Sequence, residues 1–158
     1  MISGVSGYIG SFLAASLSTE YTVYGIGRKN SRINSPGINP SCGVSAYFSW
    51  DDLASLPEVD VVIHLAGLAH DLKNRTPESA YYEANVGLTN KLFQWFLASG
   101  ASRFIFFSSV KAAADTLGAD ELLTEQTHAA PKTHYGKSKL SAEQSIQSAM
   151  DSYRNAMG

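Results

Sequence analysis

Tyr135 and Lys139 stand four residues apart in Thr133-His-Tyr-Gly-Lys-Ser-Lys139, where a helical pattern opens. One helical turn puts the two side chains on one face, the ammonium beside the phenol. An unperturbed phenol titrates near ~10, and an adjacent cation favours its ionised form and pulls that value down. The pair could therefore exchange a proton with a substrate hydroxyl or carbonyl at neutral pH. Ser108 and Ser109 close an apolar run at 104–107, and a hydroxyl there could hydrogen-bond the same substrate oxygen. Asn85 falls inside a helical pattern although asparagine is a poor helix former, so its amide is expected to bond a neighbouring strand or to serve a relay. Tyr and Lys at this spacing also occur on solvated faces, and serines end strands for ordinary turn reasons. Residues upstream must decide.

Gly4, Gly7 and Gly10 follow the spacing Gly-x-x-Gly-x-x-Gly between a strand stub and a helix. Glycine permits the tight turn and a close backbone approach to a pyrophosphate, which would sit on amides at the positive end of the helix. At the end of the second strand an acid would hold the free 2′-hydroxyl of NAD, but the chain offers Gly25-Ile-Gly27-Arg28-Lys29. Arg28 can bind a 2′-phosphate in bidentate fashion, so NADP is expected, with NAD the alternative. The small residues of His64-Leu-Ala-Gly67 would let the chain pass close beneath the cofactor ribose. His64 itself is expected to be a hydrogen-bonded buried histidine rather than a metal ligand. His70, His128 and His134 share no repeated spacing and receive no role.

The elements that must position these residues alternate between strand and helix. A strand stub at 1–3 precedes a helix reaching about residue 18, with Ile9, Phe12, Leu13 and Leu17 on one face. Strands follow at 21–26 and 45–49, then a helical turn capped by Asp51 or Asp52 and ended by Pro57. The run 59–65 reads as a buried parallel strand. Thr76-Pro77-Glu78 opens a helix through a capping hydroxyl, a proline at the first position and an acid in the first turn. That helix is expected to turn Tyr81, Asn85, Leu88, Leu92 and Trp95 or Phe96 inward and to stop at Gly100. A strand at 104–107, a long polar loop at 111–133 and a last helix with Tyr135, Lys139, Ala142, Ile146 and Ala149 in one stripe complete the chain. The pattern predicts an α/β fold with a doubly wound parallel sheet.

The 158 residues are read as one domain, 1–158, with a net charge of -2 that gives no reason to expect nucleic acid or an anionic membrane as partner. No run approaches the ~20 apolar residues of a spanning helix. The single Cys42 makes no internal disulfide, and the cytoplasm is the expected compartment. Three residues precede the glycine turn and the chain ends after its last helix, so it is read as a fragment whose first strand is clipped and which lacks a C-terminal substrate-binding region.

Five stretches together resemble the extended short-chain dehydrogenase/reductases that act on nucleotide sugars. They are Ser3-Gly-Val-Ser-Gly-Tyr-Ile-Gly10, Val62-Ile-His-Leu-Ala-Gly67, Tyr82-Glu-Ala-Asn-Val86, Phe104-Ile-Phe-Phe-Ser-Ser109 and Tyr135-Gly-Lys-Ser-Lys139. The resemblance implies a Rossmann fold and a catalytic set of Ser109, Tyr135 and Lys139 supported by Asn85. It implies a cofactor site on Gly4, Gly7, Tyr8, Ile9, Gly10, Arg28, Asp51, Leu65, Ala66 and Gly67, with Tyr135 and Lys139 reaching the nicotinamide ribose. It implies a nucleotide-diphosphate sugar as substrate, a homodimer through the long helices, and 4-epimerase or 4-keto-sugar reductase chemistry in surface polysaccharide precursor synthesis. Ala112 to Ala114 stand where many epimerases have a tyrosine-glycine pair. A 4,6-dehydratase would need an acid pair near Ser109 that Ser109-Val-Lys111-Ala lacks, and a non-catalytic NADP sensor of this fold usually loses the Tyr/Lys pair.

Overall fold

Short β-branched and aromatic runs, each followed by a helical stretch, can bury both faces only in a parallel sheet. A computed structural model describes residues 1–28, 43–69 and 76–157, of Met157 the backbone alone; Lys29, Cys42 and His70 lie outside them. Five strands form: β1 Ile2–Ser3, β2 Tyr24–Gly27, β3 Ala46–Ser49, β4 Val61–His64 and β5 Arg103–Phe106. All pair in parallel, in the order β3-β2-β1-β4-β5. This is the winding of a dinucleotide-binding half-fold, in which ligands sit beyond the carboxyl ends of the strands. β1 is central, so Ile2 pairs with Gly25 and Ile63, Ser3 with Ile26 and His64, and both residues are buried.

Contacts divide the chain into two units, Met1–Ala66 with Gln94–Phe107, and Gly67–Phe93 with Ser108–Gly158. The first holds the sheet and a core of Ile2, Val5, Ala14 and Val23, against which Leu13, Leu17, Val44, Tyr47, Ile63 and Leu65 pack. Helix α1, Tyr8–Leu17, belongs here. Its buried face differs from the expected one. Gly10 and Ala14 are buried, whereas Ile9 and Phe12 are 56% and 75% exposed. The glycine turn forces this rotation, because a Cβ on Gly10 would collide with the Gly4 carbonyl. The small-residue side of the helix must therefore face inward. The 3-10 turn Leu53–Ser55 has Asp52 at its N-cap position, as expected though without a side-chain bond, and Leu56 leaves the turn in an extended conformation directly before Pro57.

The second unit carries helix α2, Glu78–Tyr82, which continues through a π-helical turn, Glu83–Gly87, into α3, Leu88–Ser99. The boundary between units falls within α3, after Phe93. Pro77 lies before the helix in an extended conformation, with no side-chain cap, so the expected hydroxyl cap and first-position proline are both displaced. Gly100 follows the helix with φ +77°, the left-handed stop the sequence predicts. The buried residues are Tyr81, Asn85, Thr89, Leu92 and Phe93, not Leu88. A π turn holds an extra residue, so the inward face slips by one position beyond it. Thr89 takes the place expected of Leu88, and its hydroxyl donates to the Asn85 carbonyl at 2.6 Å. Helix α4, His134–Met157, buries Gly136, Ser138, Lys139 and Ala142, which places Lys139 and Ala142 inward as the stripe required.

Candidate functional site

In the first unit, Gly4 has φ +70°, and a Cβ there would stand 2.8 Å from the Ala66 amide nitrogen. Only glycine fits that turn without strain. The Gly7 amide donates to the Gly4 carbonyl at 2.9 Å, and α1 then begins with no side-chain cap and no acid in its first turn. The orphan amides of that turn, at the positive end of the helix, suit an anionic group such as a pyrophosphate. Tyr8 and Ile9 expose their side chains and leave the turn uncovered. The residues present thus fit the phosphate bridge of a dinucleotide.

The strand ends beside the turn are held by Ser3. Its hydroxyl accepts from the amides of Leu65 and Ala66, each at 3.1 Å, and lies 2.5 Å from His64 Nδ1. With both acceptor positions used, the Ser3 hydroxyl proton is left to point at Nδ1. His64 is buried, edge-on to Trp50 and stacked on Phe106, the hydrogen-bonded core histidine expected from the sequence. At the end of β2, a side chain on Gly27 would meet the Tyr47 hydroxyl, which donates to the Arg28 carbonyl at 3.1 Å. Arg28 is exposed. Asp51 is exposed as well, with its amide donating to Ser49 Oγ at 3.2 Å.

The second unit gathers the residues with proton chemistry. Asn85 is 1% exposed; its Oδ1 accepts from the Leu68 amide at 2.6 Å, and its Nδ2 donates to the Leu68 carbonyl at 3.1 Å and to Ser138 Oγ at 2.9 Å. A Cβ on Gly67 would stand 2.6 Å from Asn85 Oδ1, so glycine is needed for that approach. Ser138 in turn donates to the Tyr135 carbonyl at 2.8 Å. The amide of Asn85 thus ties the 67–68 segment to the turn of α4 that bears Tyr135. Tyr135 is half-buried, its ring 6.4 Å from that of Tyr81. Lys139, one turn on, is 6% exposed, and burial brings its pKa down to about 8 against the opposing pull of the Glu143 carboxylate.

Ser109 is half-buried and extended, and it caps the 3-10 turn Val110–Ala112, its Oγ accepting from the Lys111 amide at 3.2 Å. That turn packs on α4, where a Cβ on Gly136 would collide with the Lys111 carbonyl. Ser108 points elsewhere and donates to the Glu143 carboxylate. A cavity of about 320 Å³ opens beside Tyr135, lined among others by Thr76, Tyr81, Lys132 and by His134 and Glu78, whose Nδ1 and Oε1 stand 3.2 Å apart. Three residues that sequence reasoning passed over belong to this region. Ser138 and Thr133 are anchors of α4, and Asp115 binds the segment before it. Thr133, three residues before Gly136, carried a readable capping signal; Asp115, in the polar loop, carried none. Among the described residues no three metal-binding side chains cluster, and no helix is long and apolar enough to cross a membrane.

The whole chain, residues 1–158, matches the description "NAD dependent epimerase/dehydratase family". The chain belongs to that family. It is the family the five sequence motifs led us to expect, and the parallel sheet has its Rossmann winding. A UDP-glucose 4-epimerase of Vibrio cholerae is 34% identical over 151 residues, covering 92% of this chain and 45% of that protein. An N-acetyl-α-D-glucosaminyl-diphospho-ditrans,octacis-undecaprenol 4-epimerase of Escherichia coli O157:H7 is 27% identical, covering 93% of this chain and 42% of that protein. The chain therefore spans less than half the length of these relatives. Among solved structures, MoeE5 in complex with UDP-glucose and NAD superposes with a TM-score of 0.73 at 25% identity, over 92% of this chain and 46% of that one. Both curated relatives are named as 4-epimerases, and the Tyr135–Lys139 pair gives this chain the residue types for acid-base work.

Proposed function

We propose that the protein is a 4-epimerase of a nucleotide-diphosphate hexose, with UDP-glucose as the first substrate to test. The observation that carries the reading is Lys139, buried on the face of α4 one turn from Tyr135, in a chain 34% identical to a UDP-glucose 4-epimerase. In this reading Tyr135 moves the proton of the sugar O4, and Ser109 donates a hydrogen bond to the same oxygen. The ammonium of Lys139 offsets negative charge as it grows on the Tyr135 oxygen and donates to the ribose hydroxyls of the dinucleotide. Asn85 holds the turn of α4 on which Tyr135 is mounted. The amides of Tyr8, Ile9 and Gly10 receive the pyrophosphate, with Leu65, Ala66 and Gly67 as the glycine-lined approach and Asp51 beyond β3. NAD, when bound, supplies hydride exchange at C4.

The family description and the MoeE5 complex favour NAD as the cofactor. NADP is the second reading, favoured by Arg28 following Gly27 at the end of β2. Equilibrium binding separates them, since an Arg28→Ala change weakens NADP alone if Arg28 holds a 2′-phosphate. The Escherichia coli relative, named for a sugar on an undecaprenol carrier, supports a place in surface polysaccharide precursor synthesis.

The test is to incubate the whole protein with UDP-glucose and follow both UDP-galactose and reduced nicotinamide. Epimerisation gives product with no net consumption of reduced nicotinamide, whereas stoichiometric consumption on a 4-keto sugar marks a reductase. Tyr135→Phe is expected to lower turnover by about 10²- to 10⁴-fold, the usual contribution of a positioned acid-base group. Wild-type turnover in that variant would refute the assignment, and dinucleotide binding without any turnover would make the protein a sensor.

A further inference from the structure

The loop between Ser109 and Tyr135 is fastened at its base by the Asp115 carboxylate and by a backbone bond from the Ala130 amide to the Ala113 carbonyl at 2.8 Å. Asp115 Oδ2 accepts from the amides of Lys132 and Thr133, the latter at 3.1 Å, and Oδ1 accepts from the Thr133 hydroxyl at 3.0 Å. Lys111 Nζ stands 3.5 Å from Oδ1 and donates to the Asp115 carbonyl at 2.9 Å. The Asp115 side chain is 9% exposed. Thr133 is itself the cap of α4: its Oγ1 accepts from the Gly136 amide at 3.2 Å, and its carbonyl accepts from the Lys137 amide at 2.9 Å. A hydroxyl has one proton to give. Thr133 gives it to Asp115, which turns the oxygen lone pairs toward the helix.

We propose that Asp115 is a positioning residue that fixes Tyr135 by holding Thr133 as the cap of α4. The inference rests on the reading of Tyr135 and Lys139 as the proton-transfer pair. Tyr135 lies in the first turn of α4, the part that frays when a cap is lost, whereas Lys139 lies one turn deeper and is buried. Without Asp115 the first turn loosens while the second stays, and the two side chains lose their fixed separation. The same carboxylate reaches back to Lys111, in the 3-10 turn that Ser109 caps, so the segments bearing Ser109 and Tyr135 share this fastener. Burial alone would push the Asp115 carboxyl up, but its bonds from Lys132 and Thr133 and the charge of Lys111 bring it below the usual range.

The experiment compares the whole wild-type protein with Asp115→Ala, Thr133→Val and Thr133→Ser by amide hydrogen exchange and by steady-state kinetics. Asp115→Ala and Thr133→Val are expected to speed exchange at Gly136 and Lys137 by about fivefold or more, the size of a lost cap, and to lower kcat at least as much. KM and dinucleotide affinity stay within about twofold, because only the proton-transfer geometry has changed. Thr133→Ser keeps the hydroxyl and restores the protection. A residue that merely held the fold would instead lower the melting temperature and quicken exchange along the whole of α4. Wild-type exchange at Gly136 in Asp115→Ala, or in Thr133→Val should the alanine variant not fold, overturns the proposal, as does wild-type kcat with loosened amides. If the wild-type protein turns over no nucleotide sugar, the epimerase reading fails by itself, and the exchange rates still decide whether Asp115 holds the cap.

Discussion

Lys139 illustrates how much of a site one residue can carry and at what cost. Its folded pKa of about 8 lies below the 10.5 of the exposed group because burial penalises the ammonium. The unfolded chain therefore binds more protons between those values, and stability rises with pH across that interval. At neutral pH the buried ammonium is a liability, so Lys139→Met is expected to raise the urea midpoint there, with the gain shrinking as pH climbs above about 8. For activity the sign is opposite. The kcat/KM of the whole protein should fall above pH about 8 as Lys139 gives up its charge, and the profile of kcat/KM against pH checks this directly. The Tyr135–Lys139 spacing was legible in the sequence because it is local and helical. Asp115 was not, since its partners Lys132 and Thr133 lie 17 and 18 residues away across a loop without periodicity.

At the scale of elements, all five strands fall on the runs read from the sequence, four of them shorter than the run suggested and β5 of equal length but begun one residue earlier. Of the residues expected to face inward on the long helix, Tyr81, Asn85 and Leu92 are buried and Leu88 is not. A constant helical period cannot anticipate an extra residue at 83–87, so Thr89, a polar side chain, was passed over for Leu88. The α1 face was misplaced for a different reason, the need of Gly10 to lie against the Gly4 carbonyl, which outweighs the apolarity of Ile9 and Phe12. A similar close approach joins α4 to the 3-10 turn after Ser109. Gly136→Ala would press a methyl group into the Lys111 carbonyl, with Pro131 Cβ at 3.0 Å on the other side. The expected cost is about 1–3 kcal/mol from overpacking, read as a lower urea midpoint with unchanged slope.

For the molecule as a whole, a ligand that binds only the folded state adds to its stability by mass action. NAD at about a hundred times its dissociation constant should contribute about 2.7 kcal/mol, visible as a rise in melting temperature that titrates with concentration. The rise should vanish when a Gly10→Ala change disturbs the phosphate turn, and its persistence there would show that the dinucleotide binds elsewhere. The sheet order has a practical corollary for anyone handling these 158 residues. Strand β5 pairs with β4 on one side, and among the described residues no strand lies on the other. Ile105, within that strand, is 43% exposed. An open ribbon edge flanked by greasy side chains is a template on which further chains can stack, so concentrated samples are expected to clump in solution unless that rim is covered or given a charge.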